Sequence, residues 1–237
     1  MKINVVVVAL LAVLMLPVRT NGESKTSRQS VYQKAGTISV IDPKAVIVGY
    51  RNPEDAVFTL SLDDVGKYTG HVCAGVASGF LLTAKALDLL YPGDEMPVRG
   101  QISMAVSRFN DQAEVAAYVI RARTDEGDEK ENNALIIDPG LAASLPQSFV
   151  VIFKRMDNGR MVKAVLDETK LACNNMTGVA RALKSKVMSG SATDAEKQQF
   201  ANSVQQIVAK VIADTPTGLL SVSECSAEKD CGKPFKK

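Results

Sequence analysis

The chain has 237 residues, of which 46% are hydrophobic, 23% are charged and 5% are aromatic. This composition is typical of a folded globular protein, and it excludes a disordered, a collagen-like and a multi-span membrane protein. The formal net charge of +2 does not supply the basic face that a dedicated nucleic-acid-binding protein needs, so no nucleic-acid partner is predicted.

Residues 1–22 have the pattern of a secretory signal peptide. Lys2 precedes an unbroken apolar run over residues 5–16, and Pro17 ends that run. At about 1.5 Å per residue, a helix over this run is too short to cross a hydrocarbon layer of about 30 Å. The sequence therefore predicts an exported protein, periplasmic or secreted, with no stable membrane span after signal cleavage. An uncleaved membrane anchor or a buried strand is the alternative.

Residues 23–36 are mostly polar and predict a flexible arm. The two short apolar pieces that follow, 37–40 and 45–48, predict strands because β-branched side chains favour an extended backbone. Asp63 is placed to cap a helical turn that runs to Lys67.

Residues 75–91 form the strongest predicted helix of the first half. Their apolar side chains recur at helical spacing and include Val76, Phe80, Ala84, Leu87 and Tyr91. Additional leucines widen the apolar surface, so this helix is predicted to be buried. The dipeptide Pro92-Gly93 ends it.

The hydrophobic period then changes from that of a helix to that of a strand. Residues 102–106 alternate between apolar and polar, and the apolar segments 115–120 and 134–137 are further strand candidates. The tripeptide Asp157-Asn158-Gly159 lies between two more apolar segments, which predicts a β-hairpin.

The last part of the chain is predicted to be helical. Residues 171–188 have helical spacing, and Thr193 and Glu196 have the spacing of a capping box at the start of another helix. Together the patterns predict an α+β fold, in which a buried helix packs an antiparallel or mixed sheet. The α+β domain is expected over 37–170, and a helical C-terminal extension over 171–237.

The segment Gly70-His71-Val72-Cys73-Ala74-Gly75 is the best candidate site, since it holds the single histidine one residue from a cysteine at the start of the buried helix. Imidazole and thiolate ligands together suit zinc or another transition metal. The helix N-terminus is expected to lower the pKa of the Cys73 thiol, and Gly70 and Gly75 allow a ligand to approach closely. The alternative is a structural cysteine beside an exposed histidine, because two ligands do not complete a metal site.

Residues 68–91 resemble the signature of the formylmethanofuran dehydrogenase E-subunit-like family, roughly His-Gly-His-x-Cys-Pro-Gly-x-x-x-Gly before a long helix. The matching positions are Gly70, His71, Cys73, Gly75 and Gly79. Residues 102–117 and 133–166 fit later parts of the family domain less specifically. The resemblance implies an α+β fold, a metal (zinc) held by the His–Cys pair in a cleft, and a homodimer. It implies no defined reaction.

Three positions depart from that family's pattern. Thr69 stands where the first histidine would be, Ala74 replaces the proline, and Arg123 replaces a second cysteine. Arginine cannot ligate a metal, but it can hold a carboxylate or phosphate through two hydrogen bonds. The cleft is therefore either a metal site completed by other residues or a metal-free site for an anionic small molecule held in part by Arg123. Arg123 as an ordinary surface charge is the alternative, and a structural partner of an exported redox or transport assembly is a third hypothesis.

The remaining cysteines have different predicted roles. Cys173 lies near a predicted helix start and is either a third metal ligand or a packing residue. Cys225 and Cys231 are expected to form a disulfide bond that closes a small loop, because an exported protein is oxidised and their spacing is not that of a zinc ribbon.

Overall fold

The computed structural model of the protein describes residues 22–124, 134–171 and 178–225, together with residues 231, 234 and 235. The signal peptide predicted over 1–22 lies outside these ranges except for its last residue, and Cys173 also lies outside them. Within the described ranges, no helix combines the length and apolarity that crossing a membrane requires.

The protein is built from alternating groups of helices and strands. The helices are α1 (Gly22–Gln33), α2 (Pro43–Ile47), α3 (Leu62–Thr69), α4 (Ala74–Leu90), α5 (Asp111–Ile120), α6 (Gly178–Met188) and α7 (Asp194–Ala213). The strands are β1 (Thr37–Ile41), β2 (Val57–Ser61), β3 (Ile102–Val106), β4 (Leu135–Ile137), β5 (Ser148–Arg155), β6 (Met161–Asp167) and β7 (Leu220–Glu224). This is the predicted α+β class.

A mixed sheet in the order β4-β3-β5-β6-β7 forms the centre of the fold, and β1 and β2 form a separate antiparallel pair. Only the β3–β4 pair of the central sheet is parallel. Strands β5 and β6 form the predicted hairpin, with Lys154 opposite Met161. All five residues of β3 are buried. The alternation of apolar and polar residues in this strand therefore does not mark a core face and a solvent face.

Helix α4 is the buried helix that the sequence predicts. Phe80, Leu82 and Leu90 are at most 1% exposed, and the helix contacts α5, α7, β6 and β7. A Cβ atom at Gly79 would lie 2.9 Å from the Cα of Gln112, so glycine lets α4 and α5 pack closely. This close packing brings the start of α5 next to the start of α4.

Two segments that were predicted as strands are helical. Residues 45–48 fall largely in α2, because Pro43 occupies its first position and the Asp42 carboxylate accepts a hydrogen bond from the backbone N–H of Lys44. Residues 115–120 belong to α5, whose first turn is capped by Asn110. The cap and the burial of one helix face outweigh the strand preference of β-branched side chains.

Helix α3 is present where a helical turn was predicted, but its cap differs. Ser61 is the N-cap, and it forms a capping box with Asp64 in place of the predicted cap at Asp63. Residues 23–36, predicted as an irregular arm, lie largely in α1, which contacts α3 and α7.

The C-terminal part of the chain has the two predicted helices, and the Thr193–Glu196 capping box begins the second. It also supplies β7, which no pattern in the sequence indicated, and β7 pairs with β6 in the central sheet. The region after residue 171 therefore packs into the same core as the preceding domain.

Candidate metal site

Three side chains with metal-binding atoms meet where α4 and α5 begin. His71 and Cys73 come from the loop between α3 and α4, and Asp111 is the first residue of α5. The Cys73 Sγ atom is 3.1 Å from Asp111 Oδ2, and His71 Nε2 is 3.5 Å from the same oxygen. One ligand atom of each residue lies within 4.8 Å of the other two, so this group could hold a metal ion.

The loop that carries His71 is shaped by its neighbours. Gly70 ends α3 with a φ of 75°, a left-handed conformation that glycine adopts without strain. The Thr69 hydroxyl is 2.7 Å from the carbonyl oxygen of His71 and 3.1 Å from that of Val65. The threonine that departs from the resembled motif therefore stabilises the loop, since its single hydroxyl proton can be donated to either of these two backbone carbonyls.

The imidazole of His71 is oriented by a backbone carbonyl. Its Nδ1 atom is 3.1 Å from the carbonyl oxygen of Thr69, which can only accept a hydrogen bond. Nδ1 must therefore carry the proton in the neutral ring, and Nε2 keeps a free lone pair directed towards Asp111. A carbonyl that fixes the tautomer in this way is a usual partner of a metal-binding histidine.

Cys73 is the N-cap of α4, and its sulfur accepts a hydrogen bond from the backbone N–H of Val76 at 3.4 Å. Burial nevertheless raises the pKa of the Cys73 thiol to about 11, and the hydrogen bond to the Asp111 carboxylate acts in the same direction. The prediction of a lowered pKa from the helix N-terminus is wrong for the metal-free protein. The hydrogen bond from the Val76 backbone does lower the pKa of the thiol, but desolvation and the neighbouring carboxylate raise it by more.

Gly75 allows the start of α4 to approach Asp111. A Cβ atom at this position would lie 3.2 Å from Asp111 Oδ2 and 3.3 Å from Cys73 Sγ, closer than most Cβ contacts. Both predicted ligand-contacting glycines thus have a structural role, because Gly70 ends α3 and Gly75 leaves room for the donor atoms.

The three donors open onto a cavity of about 950 Å³. One wall consists of residues at the starts of α4 and α5, including Asn110 and Gln112 beside the donors themselves. The lining residues from the C-terminal helices are mostly apolar, with Met188, Phe200, Ala201, Val204 and Ile207, and they also include Lys184 and Gln205. Residues from both the first half of the chain and the C-terminal region therefore line this cavity.

One hydrogen bond connects the C-terminal region directly to the site loop, and a second supports it. The Gln205 amide on α7 donates to the carbonyl oxygen of Val72 at 3.0 Å, between the two predicted ligands. The Tyr32 hydroxyl on α1 donates to Gln205 Oε1 at 2.7 Å. The loop position thus depends on helices at both ends of the chain.

Arg123 does not line the cavity, so it is not placed to hold an anion there. It is exposed, its backbone forms a bridge with Ala134, and it is absent from the described residues that line the cavity. Arg28 and Lys184 line the cavity instead. The structure therefore does not bring Arg123 together with His71 and Cys73, because α5 is a helix and its length separates the residues after it from the donors at its start.

The predictions for the other three cysteines have different outcomes. Cys173 lies outside the described residues, so its role as a third ligand stays a prediction. Cys225 and Cys231 form a disulfide bond, with their Cα atoms 5.9 Å apart.

Asp111 is the site residue that sequence reasoning missed. It follows Asn110, and an asparagine followed by an acidic residue is typical of a helix start, which could have identified α5. No pattern in the sequence connects it with Cys73, which is 38 positions away.

Two of the three donor–donor distances can be compared with those of a tetrahedral zinc site. A tetrahedral zinc ion places a thiolate, an imidazole nitrogen and a carboxylate oxygen about 3.4 to 3.6 Å from one another, as its bond lengths require. The 3.5 Å between His71 and Asp111 meets this value, and the 3.1 Å between Cys73 and Asp111 is a hydrogen-bond distance. Loss of the thiol proton on metal binding would let that second distance lengthen by about half an ångström.

Comparison of the chain with protein-family models, with curated protein sequences and with solved structures gives no match. The resemblance to the E-subunit-like family therefore stays a prediction from the sequence. The fold and the site define an α+β domain with a candidate His–Cys–Asp metal site beside a large cavity.

Proposed function

We propose that this protein is an exported zinc-binding domain, similar to the formylmethanofuran dehydrogenase E-subunit-like proteins, in which His71, Cys73 and Asp111 hold the metal. The observation that carries the proposal is the convergence of three different donor atoms within 4.8 Å at the mouth of a cavity. The carbonyl-oriented imidazole of His71 supports it, because its Nε2 atom lies 3.5 Å from Asp111 Oδ2.

The chemistry of the donors favours zinc over magnesium and calcium. A thiolate and an imidazole suit zinc and other late transition metals, whereas magnesium and calcium prefer oxygen ligands. Three protein ligands leave one zinc position open towards the cavity, where the metal would polarise the oxygen of a bound water or ligand. The chain's own contribution is to orient the donors and to shape the cavity around that position.

Two features support export. The first is the apolar run near the N-terminus, which has the length and flanking residues of a signal peptide. The second is the disulfide bond between Cys225 and Cys231, because disulfides persist mainly in oxidising compartments such as the periplasm and the extracellular space.

Elemental analysis of the full chain, exported by its host and purified without a metal-affinity tag, tests this function. We expect about one equivalent of zinc per chain in the natural protein, as for a single site with three protein ligands. The variants Cys73→Ser, His71→Ala and Asp111→Asn should lose this zinc. Asp88→Asn is the matched control, since Asp88 is an exposed carboxylate on α4 that does not line the cavity.

Zinc that stays in all three donor variants would overturn the proposed site, and so would a natural protein that stays metal-free after incubation with zinc. Export is tested separately by N-terminal sequencing of the protein recovered outside the cytoplasm. A mature protein that begins near residue 23 supports it, and an intact Met1 on a cytoplasmic protein contradicts it.

A further inference from the structure

The cavity beside the donor group has two chemically different walls. The donor atoms and the polar residues Asn110 and Gln112 lie at the starts of α4 and α5. The lining residues on α7 are mostly apolar, namely Phe200, Ala201, Val204 and Ile207 beside the amide of Gln205, and Val72, Leu171 and Met188 add further apolar atoms. A ligand that fills this space needs a polar end for the donor side and an apolar body for the side formed by α7.

The charges around the cavity favour a negatively charged polar end. The N-termini of α4 and α5 both border the cavity, and helix N-termini attract anions. Arg28 and Lys184 add two positive charges to its lining. Of the two acidic residues in the lining, Glu168 is ion-paired with Arg108, and Asp111 is the residue assigned to the metal.

The volume also limits the ligand. About 950 Å³ is within the range of cavities that bind small organic molecules, and it is much larger than a single water or inorganic ion needs. An inorganic phosphate or sulfate would leave the apolar wall in contact with water. A ligand with one anionic group and an extended hydrocarbon part would cover both walls.

We infer that the cavity binds a monocarboxylate with an extended apolar body. Its carboxylate takes the open position on the metal, and its hydrocarbon part lies against Phe200, Val204 and Ile207 on α7. This inference rests on the proposed function, because it uses the zinc held by His71, Cys73 and Asp111. It assigns to that site a class of ligand.

Isothermal titration calorimetry of the full chain with octanoate tests the inference. Zinc-loaded protein should bind octanoate at least tenfold more tightly than metal-free protein, because the carboxylate then has a metal partner. Lengthening the chain from hexanoate to octanoate should lower the Kd about fourfold for each added methylene group, as burial of apolar surface requires. Acetate and octan-1-ol, which lack the apolar body and the charge respectively, should each bind much more weakly.

A variant that fills the apolar part of the cavity tests octanoate binding separately from zinc binding. Ala201→Phe places a ring into the apolar wall, and it should weaken octanoate binding more than tenfold while the zinc content stays at the natural level. Ala213→Phe is the matched control, because Ala213 is an exposed residue on the same helix and is not among the residues that line the cavity. This control should keep both zinc and octanoate.

The outcomes distinguish the proposed zinc site from the proposed class of ligand. A protein that holds zinc but does not bind octanoate, or binds it equally with and without zinc, overturns the inference and leaves the proposed function in place. A protein that holds no zinc overturns the proposed function, and the inference with it. Equal loss of octanoate binding in Ala201→Phe and Ala213→Phe would also contradict the assigned location.

Discussion

Among the clusters of polar side chains that join distant segments of the described chain, the Arg155 cluster and the group His71, Cys73 and Asp111 differ in what their side chains bind. In the first, each of the three guanidinium nitrogens of Arg155 donates a hydrogen bond. Nε and Nη2 bind both carboxylate oxygens of Asp157 at 3.0 and 2.6 Å, and Nη1 donates to Glu95. The ring of Tyr91 stacks under the guanidinium group at 4.0 Å, and the Arg155 side chain is 8% exposed.

The second cluster, His71, Cys73 and Asp111, is open in the sense that its donor atoms border the cavity. The side chains of His71 and Asp111 are 49% and 43% exposed, close to the 51% and 52% of Glu95 and Asp157, so exposure alone does not separate the two clusters. In the Arg155 cluster the carboxylates already bind a buried cation, which connects β5 with the segment after α4. The donor group keeps lone pairs that a ligand can use. A closed cluster of this kind stabilises a fold, whereas an open one is suited to binding.

The largest expected effect is on metal binding by Cys73→Ser. Serine is nearly the same size as cysteine and can keep the hydrogen bonds to Asp111 and Val76, but its hydroxyl is a poor zinc ligand. We expect the zinc Kd to rise more than about 100-fold, since even partners behind the ligands contribute 10- to 100-fold. Titration against a chelator of known affinity measures this change. A Kd within threefold of the natural protein would remove Cys73 from the site.

The Arg155 cluster should respond in the opposite way. Arg155→Met removes the charge-assisted hydrogen bonds and the contact with Tyr91, and we expect a loss of about 2 kcal/mol in the free energy of unfolding. The loss stays moderate because Glu95 and Asp157 are half exposed and can be solvated. Urea denaturation measures it, and the zinc Kd should not change.

Lys197→Met is the matched control for that experiment, since Lys197 forms an exposed ion pair with Asp194. Its free energy of unfolding should change by less than about 0.5 kcal/mol. An equal loss in both variants would mean that the Arg155 cluster contributes no more than a surface ion pair.

Gly75→Ala tests the open cluster without removing a ligand. Alanine favours a helix over glycine, so the free energy of unfolding should not fall. Its Cβ atom would crowd Asp111 Oδ2 and Cys73 Sγ, and we expect the zinc Kd to rise about tenfold. A variant with weaker zinc binding and unchanged urea midpoint fits this account. An unchanged zinc Kd would show that the donors can move apart without cost.

The smallest expected effect is a change in acid stability. The hydrogen bonds from Arg155 hold the pKa of Asp157 below its usual value of 3.8. A lowered carboxyl pKa stabilises the folded protein above pH 4, and this stabilisation is lost as the pH falls through the lowered value. Asp157→Asn should therefore be less stable at pH 7 and should lose less stability between pH 4 and pH 2. Urea denaturation across this range measures the slope, and Asp88→Asn should keep the slope of the natural protein.

The sequence by itself determined the elements whose signals are local. The apolar spacing of α4, the turn at Asn158-Gly159 and the capping box at Thr193 each involve residues a few positions apart, and the structure has all three elements. The same local signal placed His71 and Cys73 together at a helix start. Short-range periodicity and capping depend on neighbouring residues, so they can be recognised without the tertiary structure.

Only the tertiary structure decided what completes the site. Asp111 comes within reach of Cys73 because Gly79 lets α4 and α5 pack closely, a contact between residues far apart in the chain. The same kind of packing made a helix of the β-branched segment 115–120, added β7 to the sheet and placed α7 opposite the donors. These features depend on which surfaces bury each other, and burial between distant segments overrides local propensity.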